Sequence, residues 1–252
     1  VESLTQLFGR KDEGGHRIAA VIIDPGHGGR DPGANHVHMS EGKQFRVVEK
    51  DIVLSVSLAL HQQLSAFYPD KNIILTRNDD TYLTLEERTE IANKISLKPN
   101  EAMIFISIHA NASLNTKASG FEVWYLPPDY RRDLLDVSTL DESAKELVYI
   151  LNTMLEEEIT VESIILAKEI LQGMAGSIGG ISENRGLKEQ PWFVVRRAKM
   201  PSVLVEIGFL TNPAEAIRLS DPLYLKKVTE GLYNGIRGFI DSFESTSGFT
   251  EQ

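Results

Sequence analysis

The sequence contains no cysteine and no long apolar run, and it carries more acidic than basic residues. Without cysteine, the chain cannot form disulfides, use a thiolate nucleophile or bind a metal through sulfur. No apolar run approaches the roughly 18 residues that a membrane-spanning helix needs. Lys and Arg total 26 and Asp and Glu total 36, for a formal net charge of −10. This balance argues against a nucleic-acid surface, because such a surface needs a basic face.

The pattern of apolar residues predicts an α/β fold. Short runs rich in β-branched residues are typical of buried strands, and the segments between them have helical spacing. Thr84 and Glu87 have the form of a capping box that opens a helix to about Ile95. We therefore expect a mostly parallel, twisted sheet flanked by helices, in one domain with an inserted helical segment. The predicted strands are Ile18–Ile23, Asn72–Thr76, Met103–Ile108, Phe121–Tyr125, Trp192–Arg196 and Ser202–Ile207.

Two histidines and one glutamate are candidate ligands of a metal ion. His27 follows the first predicted strand in a glycine-rich turn, and His109 ends another. Glu49 precedes Val53 by four residues and so shares the apolar face of a predicted helix, where an unpaired carboxylate would be costly. Ligands of open α/β sheets bind beyond the carboxyl ends of the strands. Two histidines and a carboxylate fit a catalytic Zn²⁺, although such a triad also holds non-haem Fe(II).

Glu206 is the candidate proton carrier. It lies within the apolar run Val203–Ile207, and burial there would raise its pKa toward the range that suits a general acid–base. Asn111 would point to the same side as His109, and Arg77 follows another strand. Both are candidates for binding substrate. The added glutamate and the α/β pattern favour a hydrolase.

Residues 127–160 interrupt the alternation of strands and helices. The stretch begins with Pro127-Pro128-Asp129, is rich in acidic residues and contains an amphipathic helical pattern. We expect a catalytic domain over residues 18–245 that includes this insert, with tails at residues 1–17 and 246–252. A second helix is expected from Ile164 to about Met174, followed by a flexible connection at Gly176–Gly180.

Four ordered motifs resemble the zinc-dependent N-acetylmuramoyl-L-alanine amidases of bacterial cell walls. They are Val21–Gly29, Glu49, Ser107–Asn111 and Val205–Pro213. The resemblance implies one Zn²⁺ on His27, Glu49 and His109, with Glu206 as the catalytic glutamate. It also implies cleavage of the amide bond between N-acetylmuramic acid and L-alanine in peptidoglycan. The substrate lies outside the cytoplasm, so we expect a periplasmic protein whose export signal precedes Val1.

The insert resembles a regulatory helix of the cell-division members of this family. That resemblance implies a role in septal wall splitting and daughter-cell separation, autoinhibition, and an activator protein that binds the inserted helix. Glu142 and Glu146 are the candidate carboxylates that would block the zinc, although Glu142 also fits a capping box. Three alternatives stay open: a zinc amidohydrolase or carboxypeptidase acting on small peptides, a catalytically inactive wall-binding module, and an insert that is only a packing hairpin.

Overall fold

The structure, a computed structural model, describes residues 16–132, 134, 135, 142–246 and 248. Within this part of the chain, strands and helices alternate as the sequence predicts. The elements in order are β1 (Arg17–Pro25), β2 (Asn35–Ser40), β3 (Lys43–Val48), α1 (Glu49–Phe67), β4 (Asn72–Leu75), α2 (Leu85–Asn93), β5 (Glu101–Asn111), β6 (Phe121–Tyr125), α3 (Glu142–Ile178), β7 (Asn184–Glu189), α4 (Phe193–Arg197), β8 (Ser202–Phe209), α5 (Pro213–Leu219) and α6 (Pro222–Ser245).

A mostly parallel sheet forms the centre, in the order β4-β1-β5-β8-β6-β7. The first four strands in this order are parallel, β6 is antiparallel to β8, and β7 is parallel to β6. The expected α/β class is therefore confirmed. Because β1, β5 and β8 run in the same direction, their carboxyl ends meet at one edge of the sheet, where the candidate site residues lie.

Helices cover both faces of the sheet. Helices α1, α3 and α6 pack on one face around a large apolar core, and α2 and α4 pack on the other around a smaller one. The spacing of Val53, Val56, Leu60 and Leu64 predicts the buried face of α1, and each of these side chains is buried. Thr84 caps α2 through the expected capping box. None of the helices in the described ranges is both long and apolar enough to cross a membrane.

One predicted strand is wrong, and three strands are missing from the prediction. Trp192–Arg196 was expected to be extended, but α4 is a short helix that buries Val194 and Val195 in the smaller core. Tertiary packing overrides the β preference of its two valines. Strand β7 is a polar edge strand without an apolar run. The β2–β3 hairpin is also largely polar, and its two-residue turn at Glu41-Gly42 has positive φ at both positions.

The insert is part of a single long helix. Helix α3 runs without a break from Glu142 to Ile178, so the expected division into two helices is wrong and the boundary at residue 160 falls inside it. The expected connection at Gly176–Gly180 begins only after Ile178. Ahead of this helix, the buried Arg132 side chain forms a 2.8 Å ion pair with the fully buried Glu156. This pair ties the segment before α3 to the helix.

Candidate metal centre

Three side chains converge at the edge formed by the carboxyl ends of β1, β5 and β8. His27 follows β1, Glu49 is the first residue of α1, and His109 lies near the end of β5. One potential ligand atom from each lies within 4.8 Å of the other two. The three candidate ligands, separated by up to 82 positions in sequence, thus form one cluster.

Asp31 orients His27 within this cluster. The His27 Nδ1–H donates to Asp31 Oδ2 over 2.9 Å, and His27 Nε2 lies 3.1 Å from Glu49 Oε1. Histidine ligands of metals commonly donate their second ring nitrogen to a carboxylate, which fixes the tautomer and the ring orientation. The sequence pattern does not single out Asp31. The only signal was a carboxylate four residues after His27 in the same turn.

Two arginines hold the turn that carries His27. Arg77 is buried and makes four hydrogen bonds, all to backbone carbonyls: those of Pro25, Gly26, Asp79 and Lys50. These bonds occupy four of its five N–H donors inside the fold, so the structure does not support the prediction that Arg77 binds substrate. Arg88 pairs with the buried Asp24 over 2.8 Å and also donates to the carbonyls of Pro25 and His27.

Glu49 is buried between the two histidines and the backbone. Its Oε1 lies 2.9 Å from His109 Nδ1 and accepts from the Ala110 N–H, while Oε2 accepts from the Ala34 N–H over 2.7 Å. Burial by itself would raise the pKa of Glu49, but the hydrogen bonds from His109 and His27 outweigh it and hold the pKa well below the ordinary range. Glu49 is therefore a preorganised anion.

The residues present fit a divalent metal ion. Two imidazole nitrogens and one carboxylate are the protein ligands of many catalytic Zn²⁺ sites, which keep one position for water. The backbone is shaped closely around them: a Cβ atom added at Gly33, whose φ is +63°, would lie 2.5 Å from Glu49 Oε2 and 2.6 Å from the His27 ring. The same ligand set suits non-haem Fe(II), so the donors alone do not choose between the two ions.

Glu206 lies beside this cluster. It is the register partner of His109 across the β5–β8 pair and of Glu122 across the β6–β8 pair. It lines a cavity of about 360 Å³ together with His27, Glu49 and His109. Burial, followed by the negative charges of Glu49 and Glu122, raises the pKa of Glu206 well above its ordinary value. Among the described residues, the buried Glu206 Oε2 has no hydrogen-bond partner.

Asn111 lines the same cavity, and hydrogen bonds fix the position of its side chain. Its Nδ2 donates to Glu122 Oε1 over 2.9 Å, and Arg185 donates to Glu122 Oε2 over 2.8 Å. Glu122 is buried, so this chain fixes both Asn111 and a negative charge next to Glu206. The sequence pattern does not single out Glu122 or Arg185, because strand register and not sequence spacing brings them here.

A second cavity of about 210 Å³ continues from the histidines between α2 and α4. It has an apolar and aromatic lining beyond His27 and His109, which includes Tyr82, Leu85 and Phe193. Trp192 lines both this cavity and the one that contains Glu206. An extended substrate can therefore contact the metal cluster and this apolar channel together.

The structure does not bring Glu146 to the metal cluster. Ser163 of α3 accepts from the Ser202 N–H at the amino end of β8, which is the edge opposite the cluster. Glu146 is exposed and precedes Ser163 by 17 residues, which is about 25 Å of helix directed away from the cluster. The side chain of Glu142 lies outside the described residues. In this arrangement, Glu146 does not reach the metal cluster, so the prediction that its carboxylate blocks the metal is not supported.

Comparison with known proteins gives one family. Residues 21–238 match a family model described as N-acetylmuramoyl-L-alanine amidase. The putative N-acetylmuramoyl-L-alanine amidase of Buchnera aphidicola subsp. Baizongia pistaciae is 30% identical over 225 residues, which cover 87% of this chain and 95% of that relative.

Solved structures agree with this match. The catalytic domain of CwlV, an N-acetylmuramoyl-L-alanine amidase from Bacillus (Paenibacillus) polymyxa var. colistinus, superposes with a TM-score of 0.64 at 27% identity, over 89% of this chain and 99% of that chain. The CwlD amidase from Clostridioides difficile, solved in complex with the GerS lipoprotein, gives a TM-score of 0.65 at 25% identity, also over 89% and 99%.

Proposed function

We propose that this chain, which belongs to the N-acetylmuramoyl-L-alanine amidase family and is a peptidoglycan amidase, uses a Zn²⁺ ion held by His27, Glu49 and His109. The observation that carries the proposal is the convergence of these three donors within 4.8 Å, beside the buried Glu206. Zn²⁺ bound there would polarise the scissile carbonyl and lower the pKa of its bound water to about 7.

Glu206 is proposed to move the proton during hydrolysis. Burial raises the pKa of Glu206 above that of an ordinary carboxyl, so it is a stronger proton acceptor, and it can take a proton from the attacking water and release it to the leaving alanine nitrogen. Its Oε2 is free of other described partners, which leaves that atom available for the transfer. Asp31 keeps His27 in one orientation, and Asn111 presents an amide at the wall of the cavity.

The bond that is cut identifies the reaction. The zinc-loaded protein, incubated with purified peptidoglycan, should release intact stem peptides with a free alanine amino group and leave the glycan strands uncut. Mass spectrometry of the soluble products distinguishes this result from cleavage inside the stem peptide. Internal peptide cuts would indicate a carboxypeptidase or endopeptidase instead, and bound walls without soluble products would indicate a wall-binding module.

The proposal also covers where the enzyme acts and which cellular process it serves. Peptidoglycan lies outside the cytoplasm, and a relative named as a probable cell wall amidase, LytH of Staphylococcus aureus, is 27% identical to this chain. We therefore propose an extracytoplasmic enzyme. That the enzyme acts in the periplasm and at the division septum remains a prediction, which rests on the family resemblance.

A protein partner that binds α3 is the regulatory part of the proposal. The first half of α3 exposes Leu147, Ile150 and Met154, which have a helical i, i+3, i+7 spacing. CwlD is similar to this chain and was solved in complex with a lipoprotein. Control through this face does not need a carboxylate on the zinc. An Ile150→Glu variant should hydrolyse isolated peptidoglycan normally but lose activity in intact cells, and normal activity in cells would contradict a partner at this face.

A further inference from the structure

A basic cavity of about 400 Å³ lies between α2 and α4, on the side of the sheet that carries the smaller core. Besides Arg132, its walls include four cationic side chains from two separate segments of the chain. These are Arg131, Arg196, Arg197 and Lys199. Such a concentration is unexpected in a protein with a formal net charge of −10.

These four cations are not neutralised within the described part of the structure. None of them lies within ion-pair distance of a described carboxylate, whereas the neighbouring Arg132 is balanced by Glu156. Within the described ranges, the side chains of Arg131 and Lys199 donate hydrogen bonds only to backbone carbonyls, and the buried Nε of Arg196 has no hydrogen-bond partner. Because these cations line one cavity without a described anionic partner, an anion bound there would be favoured electrostatically.

The opposite wall does not cancel this charge. Glu86 and Glu90 of α2 line the same cavity, but Glu90 is paired with Lys94 over 2.6 Å. Among the described lining residues, two glutamates face four cations besides Arg132, so this part of the lining keeps a net positive charge. It therefore suits an anionic group that enters from solvent along the seam between the two helices.

Neighbouring residues of the same two helices line this basic cavity and the apolar channel of the metal centre. Leu85 lines the channel and Glu86 lines the basic cavity, and on the other helix Phe193 lines the channel and Arg196 the basic cavity. On both helices, the apolar residues that line the channel thus precede the residues that line the basic cavity. A single extended ligand can occupy both.

The distance fits a short peptide. From Leu85, which lines the channel, to Asn93, which lines the basic cavity, α2 rises about 12 Å. An extended peptide of four residues spans about 14 Å. A stem peptide whose alanyl bond lies at the metal cluster would therefore place its free carboxylate among the arginines.

We propose that the cavity lined by Arg131, Arg196, Arg197 and Lys199 binds a carboxylate of the stem peptide and thereby directs that peptide along the channel between α2 and α4. The inference deepens the proposed amidase function and rests on it. The cavity supplies substrate affinity and specificity for an acidic peptide. The same cationic surface could recognise phosphodiester groups of an anionic wall polymer, so the experiment includes an arm for that ligand.

The test compares two soluble substrates, a muramyl tetrapeptide with a free C-terminal carboxylate and the same compound with a C-terminal amide. For the zinc-loaded parent, amidation should raise KM about tenfold, the order of one hydrogen bond to a charged group, and leave kcat nearly unchanged. The variant Arg131→Gln/Arg197→Gln should lose this discrimination, because the two exposed positions no longer carry a positive charge. Arg131→Lys/Arg197→Lys should restore part of it.

A matched control removes two exposed charges elsewhere. Lys226→Gln/Arg237→Gln changes the net charge equally on α6, at the opposite face of the sheet, and should keep the preference for the free carboxylate. Zinc content and thermal unfolding of each variant verify that the metal centre and the fold persist. A preference that falls equally in the control would indicate general electrostatic attraction and overturn the proposed site.

Two further outcomes separate this inference from the proposed function. If the parent cleaves both substrates with the same KM, the amidase function stands and the carboxylate site is overturned. If the zinc-loaded parent cleaves neither muramyl peptides nor purified walls, both the proposed amidase function and the proposed carboxylate site are refuted. The arginine variant is also tested for binding to walls with and without phosphodiester polymer. A loss of binding confined to polymer-bearing walls would assign the cavity to phosphate and overturn the peptide assignment.

Discussion

Replacing Gly33 with alanine should damage the metal centre directly. The new Cβ would lie 2.5 Å from Glu49 Oε2 and 2.6 Å from the His27 ring, so two of the three proposed ligands must move. The backbone at residue 33 has a φ of +63°, which costs an L-residue about 1–2 kcal/mol. Loss of a single residue that orients a ligand typically weakens metal binding about 10–100-fold. We expect at least that loss of zinc affinity in Gly33→Ala.

Gly42→Ala separates the two causes. Gly42 also has a positive φ, +75°, but an added Cβ would have no neighbour within 4 Å. Both variants should therefore lose about 2–4 °C in Tm for each kcal/mol of backbone strain, and only Gly33→Ala should lose zinc affinity. Competition with a chromophoric zinc chelator measures the affinity, and calorimetry measures Tm. Zinc affinity in Gly33→Ala within a few fold of the Gly42→Ala value would refute the proposed position of the ligands.

Three further predictions concern buried carboxylates. Glu206→Gln should keep zinc and fold but lose about 10²–10⁴-fold in kcat, and kcat within a few fold of the parent would exclude proton transfer by this residue. Glu156→Gln should destabilise the fold by about 3–5 kcal/mol in denaturant unfolding, because the buried Arg132 loses its partner; an unchanged midpoint would contradict this. Burial, and then the charge of Glu158, raises the pKa of Glu162 from 4.5 to about 8. The folded state therefore binds the proton more tightly, and its stability should fall as pH rises through this interval. Glu162→Gln should flatten that dependence in Tm measured from pH 5 to pH 9, and an unaltered slope would show that another group is responsible.

The proposed ligands could be found from the sequence because each has a strong local signal. His27 and His109 follow apolar strand patterns, and Glu49 and Glu206 are carboxylates at positions where burial is expected. Parallel strands bring such positions to one edge, so topology predicts their convergence without any knowledge of side-chain geometry. The structure brings all four residues to the edge that this reasoning indicates.

Residues that act through contacts between distant segments could not be found in the same way. Glu122 reaches Glu206 through the β6–β8 register, and Arg77 reaches its carbonyl partners only after the turn at residues 25–27 has formed. Nothing in the local pattern around Arg77 distinguishes a buried structural arginine from one that faces substrate. The same limit explains α4, where apolar valines suit a strand locally and a short helix in the folded core.

The length of α3 also could not be predicted from the sequence. Gly173 and Gly176 within the segment, and Gly179 and Gly180 after it, suggest a break in the sequence. In the structure, an added Cβ at Gly173 would lie 2.4 Å from the Gly231 carbonyl oxygen of α6. Gly173 therefore permits close packing of two helices and does not end α3. The acidic first half of the same helix lies at the edge opposite the metal centre, which a sequence pattern has no means to indicate.

Zinc titration of the metal-free protein tests the central claim most directly. Amidase activity on purified peptidoglycan should rise in proportion to added Zn²⁺ and reach its plateau at one ion per chain, with intact stem peptides as the product. His109→Ala, which removes one donor from the cluster, should bind no stoichiometric zinc and show no activity at the same ratio. Full activity in the metal-free parent, or an unchanged titration in His109→Ala, would contradict the account.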